Sequence, residues 1–205
     1  MSSHLPPRMV TVAPRNPKSH LVIWPGGRLF LVFSNSNKET WSFQISKELF
    51  AAASSIWAGM LLDPITLSSQ GNINLFLSGD DVKAITTLLK MAHLKFDEVP
   101  RLVTSHELLQ LTLVCHKYKL THLSHPFYHL WKRNTNLFQD SDNGCLEHYF
   151  ISWVFKDFHS YSCALERLVL SVGVNPNSTL TIEDSESWKN IPEEIRGTCY
   201  LPLHR

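Results

Sequence analysis

The sequence predicts an α+β fold in which a small sheet is followed by helices that run toward the end of the chain. Three observations carry this. Short β-rich runs crowd residues 20–45, apolar residues then recur at helical spacing from Ser46 onward, and a further strand pattern, Ile73-Asn74-Leu75-Phe76-Leu77, follows the first helical stretch. With 205 residues and 43% hydrophobic content, the chain has enough material for one core, or one domain with an appendage.

Residues 1–19 hold Pro6, Pro7, Pro14 and Pro17 with little periodicity and are expected to be a mobile tail. Leu21-Val22-Ile23-Trp24 and Leu29-Phe30-Leu31-Val32-Phe33 read as two strands joined by the Pro25-Gly26-Gly27 turn, the second apolar at every position as a doubly covered strand is. Trp41-Ser42-Phe43-Gln44-Ile45 alternates as a half-buried strand does. Leu49, Phe50, Ala53, Ile56, Trp57 and Met60 predict one helical stretch from Ser46 to the stop at Asp63-Pro64. Ser78-Gly79-Asp80-Asp81 caps the next helix, with Val82, Ile85, Leu88, Leu89 and Ala92 on its apolar face. Thr104 and Glu107 have the spacing of a capping box ahead of Leu108, Leu111, Cys115 and Tyr118. A short helix over 121–133 follows, with Pro126 tolerated only near its first turn.

Six polar or turn residues, Gln139 to Gly144, mark a boundary, so a second region is expected over 145–205. Two stripes there, Leu146, Phe150, Trp153, Val154 and Phe158, then Tyr161, Ala164, Leu165, Leu168, Val169 and Val172, predict an antiparallel helix pair. Pro192 to Arg196 has the composition of a short helix. Trp41, Trp57, Trp131 and Trp153 all fall on apolar stripes and are expected in the core.

Nineteen Lys and Arg against 18 Asp and Glu give a net charge of +1, so there is no field to hold a phosphate backbone or an anionic membrane, and neither nucleic acid nor membrane is expected as a partner. Cys115, Cys145, Cys163 and Cys199 show no C-x-x-C pair and read as reduced residues of an intracellular protein, cytoplasmic or nuclear. The apolar uncharged run Leu49 to Leu62 is too short to span a bilayer, and Asn177-Ser178-Thr179 is a sequon with no secretory route in view. Charged residues make up only 18% of the chain, against roughly 25% in ordinary domains, so the missing surface polarity comes from Ser, Thr, Asn and His, or part of the surface is covered by a protein partner.

Motifs for chemistry fall short. His106-Glu107-Leu108-Leu109-Gln110 lacks the second histidine of a zinc helix, and Asp140 to Gly144 lacks the spacing of a calcium loop. His122, His125 and His129, with Cys115 and His116 one helix earlier, are weighed as metal ligands against a solvated face, and the solvated face is preferred. There is no G-x-S-x-G, Walker lysine or G-x-G-x-x-G. The expectation is a protein that is not an enzyme and needs no cofactor or metal.

Several runs, taken in order, resemble the BTB/POZ domain of the stand-alone filamentous-fungal type. They are Pro25 to Val32, Phe43 to Leu49, Ala53-Ser54-Ser55-Ile56-Trp57-Ala58-Gly59-Met60-Leu61, Asp80-Asp81, Ala92 to Pro100, and Leu108 to Tyr118. The resemblance covers residues 20–133 and implies a BTB/POZ-like small sheet covered by helices, with an all-helical C-terminal extension over 145–205. It also implies a non-catalytic module for homo- or hetero-association through helix faces and a sheet edge. Two departures stand out: Arg28 where the family has Asp, which sets like charges together in the usual dimer, and Ser55 where it has Pro. Relatives that serve as adaptors for cullin-type ubiquitin ligases carry an apolar-x-Glu motif; the nearest match here is Leu61-Leu62-Asp63, one methylene short, so cullin binding is expected to be weak or absent. The candidate interface residues are therefore Arg28, Leu61, Leu62 and Asp63. The alternatives to the plain module are that adaptor and a small metal-dependent enzyme built on the histidine-rich helices.

Overall fold

A computed structural model describes residues 19–34, 39–62, 73–135, 145–171, 173–174 and 180–181. Of the tail expected over 1–19 only Ser19 is described, and it opens the first strand; the Asp63-Pro64 stop, the Gln139–Gly144 break and the helix near Pro192 lie outside the described residues. The architecture is α+β. Strands β1 (Ser19–Val22), β2 (Leu29–Ser34) and β3 (Thr40–Ile45) lead into helices α1 (Lys47–Ala53) and α2 (Ser55–Met60), followed by β4 (Ile73–Ser78) and α3 (Val82–Ala92). Helices α4 (Ser105–Tyr118), α5 (Thr121–Asn134), α6 (Cys145–Val154) and α7 (Phe158–Ser171) complete the helical part, and β5 (Gly173–Val174) pairs antiparallel with β6 (Leu180–Thr181). The chain divides into two compact units, residues 1–101 with 114–126, and 102–113 with 127–205, so the division passes through α4 and α5.

In the first unit the sheet runs in the order β1-β3-β2-β4. Register places Leu31 between Phe43 and Leu75, Leu29 between Ile45 and Ile73, and Phe33 between Trp41 and Leu77. Paired residues share a face, so these side chains make one apolar layer, and all except the half-buried Trp41 are buried.

The two expected strands and the Pro-Gly turn between them form, but β1 and β2 do not pair with each other. β1 lies parallel to β3, while β2 pairs antiparallel with β3 and parallel with β4. Turn geometry explains it: Gly27 N donates to the Trp24 carbonyl at 3.1 Å with Gly26 at φ +80°, the mark of a type II turn, and type II turns splay flanking strands rather than match their twist. Gly27 itself has no room for a side chain, because a Cβ there would lie 2.2 Å from the Ile45 carbonyl oxygen.

The single helix expected from Ser46 to Met60 is two. Ser54 interrupts it in an extended conformation, φ −154° and ψ 132°, where its Oγ accepts from Ile56 N and Trp57 N and donates to the Tyr118 carbonyl. A buried serine that satisfies two orphan amides and a distant carbonyl terminates one helix and starts the next without a glycine or proline. The caps read from the sequence do form: Asp81 accepts from Ala84 N at 2.8 Å, and Thr104 and Glu107 exchange hydrogen bonds as a capping box. Pro126 sits inside α5, in its second turn rather than its first.

In the second unit α6 and α7 pack as a pair, with Phe150 and Leu168 buried and Leu165 half-buried. Two expected core residues are not core. Trp153 is 39% exposed and Phe158 is 77% exposed. The break between the helices falls at Lys156-Asp157, earlier than the stripe implied. Lys156 adopts φ +56°, and Asp157 accepts from Ser160 N as the cap of α7, which rotates Phe158 out of the stripe.

Candidate interaction surface

Among the described strands β1 lies at the edge of the sheet, bonded to β3 on one side, and all four of its residues are exposed. Ile23 N donates to the Gln44 carbonyl, so by the two-residue alternation of a strand the backbone groups of His20 and Val22 face the open side. Natural edges are blunted by lysine, proline or a bulge. Ser19-His20-Leu21-Val22 has no charged side chain and no proline, and it presents Leu21 and Val22 outward, followed by Trp24 at 42% exposed. The run Leu21 to Trp24 was read only as a strand; four successive apolar residues do not distinguish an edge from a centre.

Behind Trp24 lies His93, the C-cap of α3, with the two rings 6.1 Å apart. His93 is buried; its Nε2 accepts from Ser46 N at 3.0 Å, and its Nδ1 lies 2.7 Å from the Leu89 carbonyl. Burial, with Lys95 nearby, holds its pKa below the ordinary histidine value despite these hydrogen bonds. Ser46 in turn caps α1, its Oγ accepting from Leu49 N and donating to Glu48. Backbone and serine hydrogen bonds, with lesser help from Lys47 and Arg28, lower the pKa of Glu48.

The four sequence-derived interface residues are placed differently from one another. Arg28 is exposed at the entry to β2 and exerts its charge on Glu48 of the same chain. Leu61 is 3% exposed, committed to its own core, whereas Leu62 is 69% exposed. The apolar side chain offered at the end of α2 is thus Leu62, one position later than the adaptor motif requires, and Asp63 lies outside the described residues. Trp24, Val22 and His93 were not singled out from the sequence, and only the unprotected composition of β1 held a signal for them.

The second unit holds its own polar cluster. Asp157 Oδ2 accepts from Lys132 Nζ at 2.6 Å, Ser160 Oγ at 2.8 Å and Tyr128 OH at 3.0 Å. Burial alone would raise the Asp157 pKa, but the bonds from Lys132, Ser160 and Tyr128 outweigh it and leave the carboxyl well below its ordinary range. Lys132 also reaches Ser160 Oγ. Lys132 Nζ donates to Ser160 Oγ as well as to the carboxylate, so it is not placed as a base toward Ser160, which is itself buried. The group acts as a clamp between α5 and α7. His148, buried in the same unit, has its pKa lowered to about 4 by burial and by the charges of Lys132 and Arg167.

Among the described residues no group of three or more His, Cys, Asp or Glu is placed to hold a metal ion, and no helix is long and apolar enough to cross a membrane. His122, His125 and His129 are all exposed on α5. Cys115 and Cys163 are free thiols; burial pushes the Cys115 pKa up to about 12, far from a reactive thiolate. No protein-family model matches the chain, and no curated protein matches it.

Proposed function

We propose that the protein is a non-catalytic interaction module that binds another protein, or a second copy of itself, through the open edge of β1. The exposed, uncharged edge strand with Leu21, Val22 and Trp24 beside it carries this reading. Extended segments add to such edges through main-chain hydrogen bonds, and alternate side chains supply selectivity. The reading also draws on the BTB/POZ resemblance: an antiparallel pair β2-β3, two short helices, a strand β4 parallel to β2, then α3, α4 and α5 follow in the order that the resemblance implies. Ser55, the departure from the family's proline, occupies the first position of α2, where a proline's missing amide would go unused, so the exchange is a mild one.

Burial of Leu61 weighs against the cullin-adaptor alternative, since a side chain that fills its own core cannot also fill a partner's pocket. A photo-crosslinking residue at Leu21, with Lys83 on α3 as the control position, tests the proposal in cells and on purified protein. Protein adducts, to a partner or to a second copy, are expected from Leu21 and not from Lys83. Equal labelling at both positions, or none at either, contradicts it.

A further inference from the structure

His93 joins three segments far apart in the chain. Leu89, one turn back on α3, offers it a carbonyl oxygen, which only accepts; Ser46, 47 residues away, offers a backbone N–H, which only donates. These two partners fix the tautomer: Nδ1 carries the hydrogen and Nε2 presents its lone pair. Trp24, the third contact, is the residue where β1 passes into the type II turn, and its own N–H donates to the Gln44 carbonyl.

Adding a proton to Nε2 sets an N–H against the Ser46 N–H in a buried site, two donors with no acceptor between them. That arrangement does not hold, so protonation and the Ser46 contact exclude each other. We propose that His93 is a proton-operated latch: the neutral ring clamps the α1 N-terminus and keeps Trp24 against the end of α3, and the protonated ring leaves Ser46 and frees the Trp24 turn at the base of β1.

The charged groups around the latch set when it opens. From its own turn Lys95 opposes a second positive charge. On the α1 side Glu48 is bonded to Ser46 Oγ, and Lys47 and Arg28 act on that carboxylate. Trp24 and Leu89 bring no charge. Burial is the larger influence and Lys95 adds to it, so the latch stays shut at neutral pH and opens below the usual histidine range. Release concerns the geometry of the turn and is independent of whether the β1 edge binds a partner.

The test uses the full chain and NMR. At neutral pH the His93 ring nitrogens are expected to report the Nδ1–H tautomer. As pH falls, the Trp24 indole and Ser46 amide signals should move in step with His93 protonation, before the Tyr149 and Trp131 signals of the second unit report unfolding. In His93→Gln, whose side-chain oxygen can still accept from Ser46, the Trp24 signal should no longer respond to pH. Lys95→Gln, an exchange on the surface turn, should shift the Trp24 midpoint to higher pH. An Nε2–H tautomer overturns the latch, as does a Trp24 response retained in His93→Gln or one that appears only with global unfolding.

Discussion

In the sheet-bearing unit a buried polar joint between distant segments is made by an uncharged ring, His93, which accepts one backbone N–H and faces one carbonyl. In the helical unit it is a carboxylate, Asp157, which gathers an ammonium and two hydroxyls. Both join elements that apolar packing alone would leave free to slide, but they fail differently. A neutral acceptor is lost by adding a proton, here below the usual histidine range, whereas a paired carboxylate is lost only in strong acid or by deleting its partner. The first unit also bears the open edge, so its acid-sensitive joint lies next to the surface proposed to bind.

The largest expected effects separate these two kinds of core. Trp57→Ala in the first unit removes a fully buried ring stacked on Phe50 at 4.4 Å and should cost about 3–5 kcal/mol in urea unfolding. Asp157→Ala in the second should cost a similar amount, about 3–5 kcal/mol, because Lys132 is left without its counter-charge. The two diverge in rescue. Adding Lys132→Met to Asp157→Ala should recover much of the loss, a coupling that a double-mutant cycle measures; if the double variant is no more stable than Asp157→Ala, the clamp is not electrostatic.

Acid dependence is expected next in size. The folded pKa of His148, about 4, lies below its ordinary 6.5. Above pH 6.5 both folded and unfolded states are neutral there, and below it the unfolded state takes up the proton first, so stability falls as pH drops from 6.5 toward 4. Asp157 adds a second stage: its folded pKa is depressed, so stability present above 3.8 is lost as pH falls further. Urea midpoints followed through this range should decline in two stages, and His148→Gln should flatten the first; an unchanged slope would show that His148 titrates normally.

Much of this was legible in the sequence. The four strands of the main sheet, the Asp81 cap and the Thr104–Glu107 box follow from local pattern and capping chemistry, which are short-range. Helix ends were harder. α3, α4 and α6 end in the same motif, with left-handed Leu94, Lys119 and Lys156 where glycine is the usual residue. Lys95 N to Lys90 O, Leu120 N to Cys115 O and Asp157 N to Ser152 O close these turns. Without glycine as a marker, the α6 end was read too late, and Trp153 and Phe158 were assigned to the core. Strand order was not legible either, since pairing β1 with β3 depends on a turn type and on contact across 20 or so residues. Arg28 and Leu62 were singled out as interface candidates and are exposed, but neither belongs to the β1 edge; an exposed edge and a buried histidine acceptor are properties of the assembled sheet.

Smaller effects follow from the same account. Trp153→Ala should cost about 1 kcal/mol or less, since 39% of that side chain's residue surface is already in water; a loss as large as that of Trp57→Ala would return it to the core. Leu94→Gly, Lys119→Gly and Lys156→Gly should each stabilise by about 0.5–1 kcal/mol, because relief of left-handed strain exceeds the added entropy of the unfolded chain. Midpoints that fall in all three would show that these turns are unstrained.

The central claim is that the first unit binds through the open edge of β1, and blocking that edge tests it most directly. Val22→Pro removes an amide that faces outward and leaves the bonds to β3 in place, a substitution edge strands tolerate. Crosslinked adducts captured from a photoreactive residue at Leu21 are then compared between the parent and Val22→Pro, with the thermal midpoint of each recorded. The account predicts that capture collapses in Val22→Pro while the midpoint holds. Capture that persists at the parent's level in the folded variant would contradict it, because binding would then owe nothing to the main-chain groups of this edge.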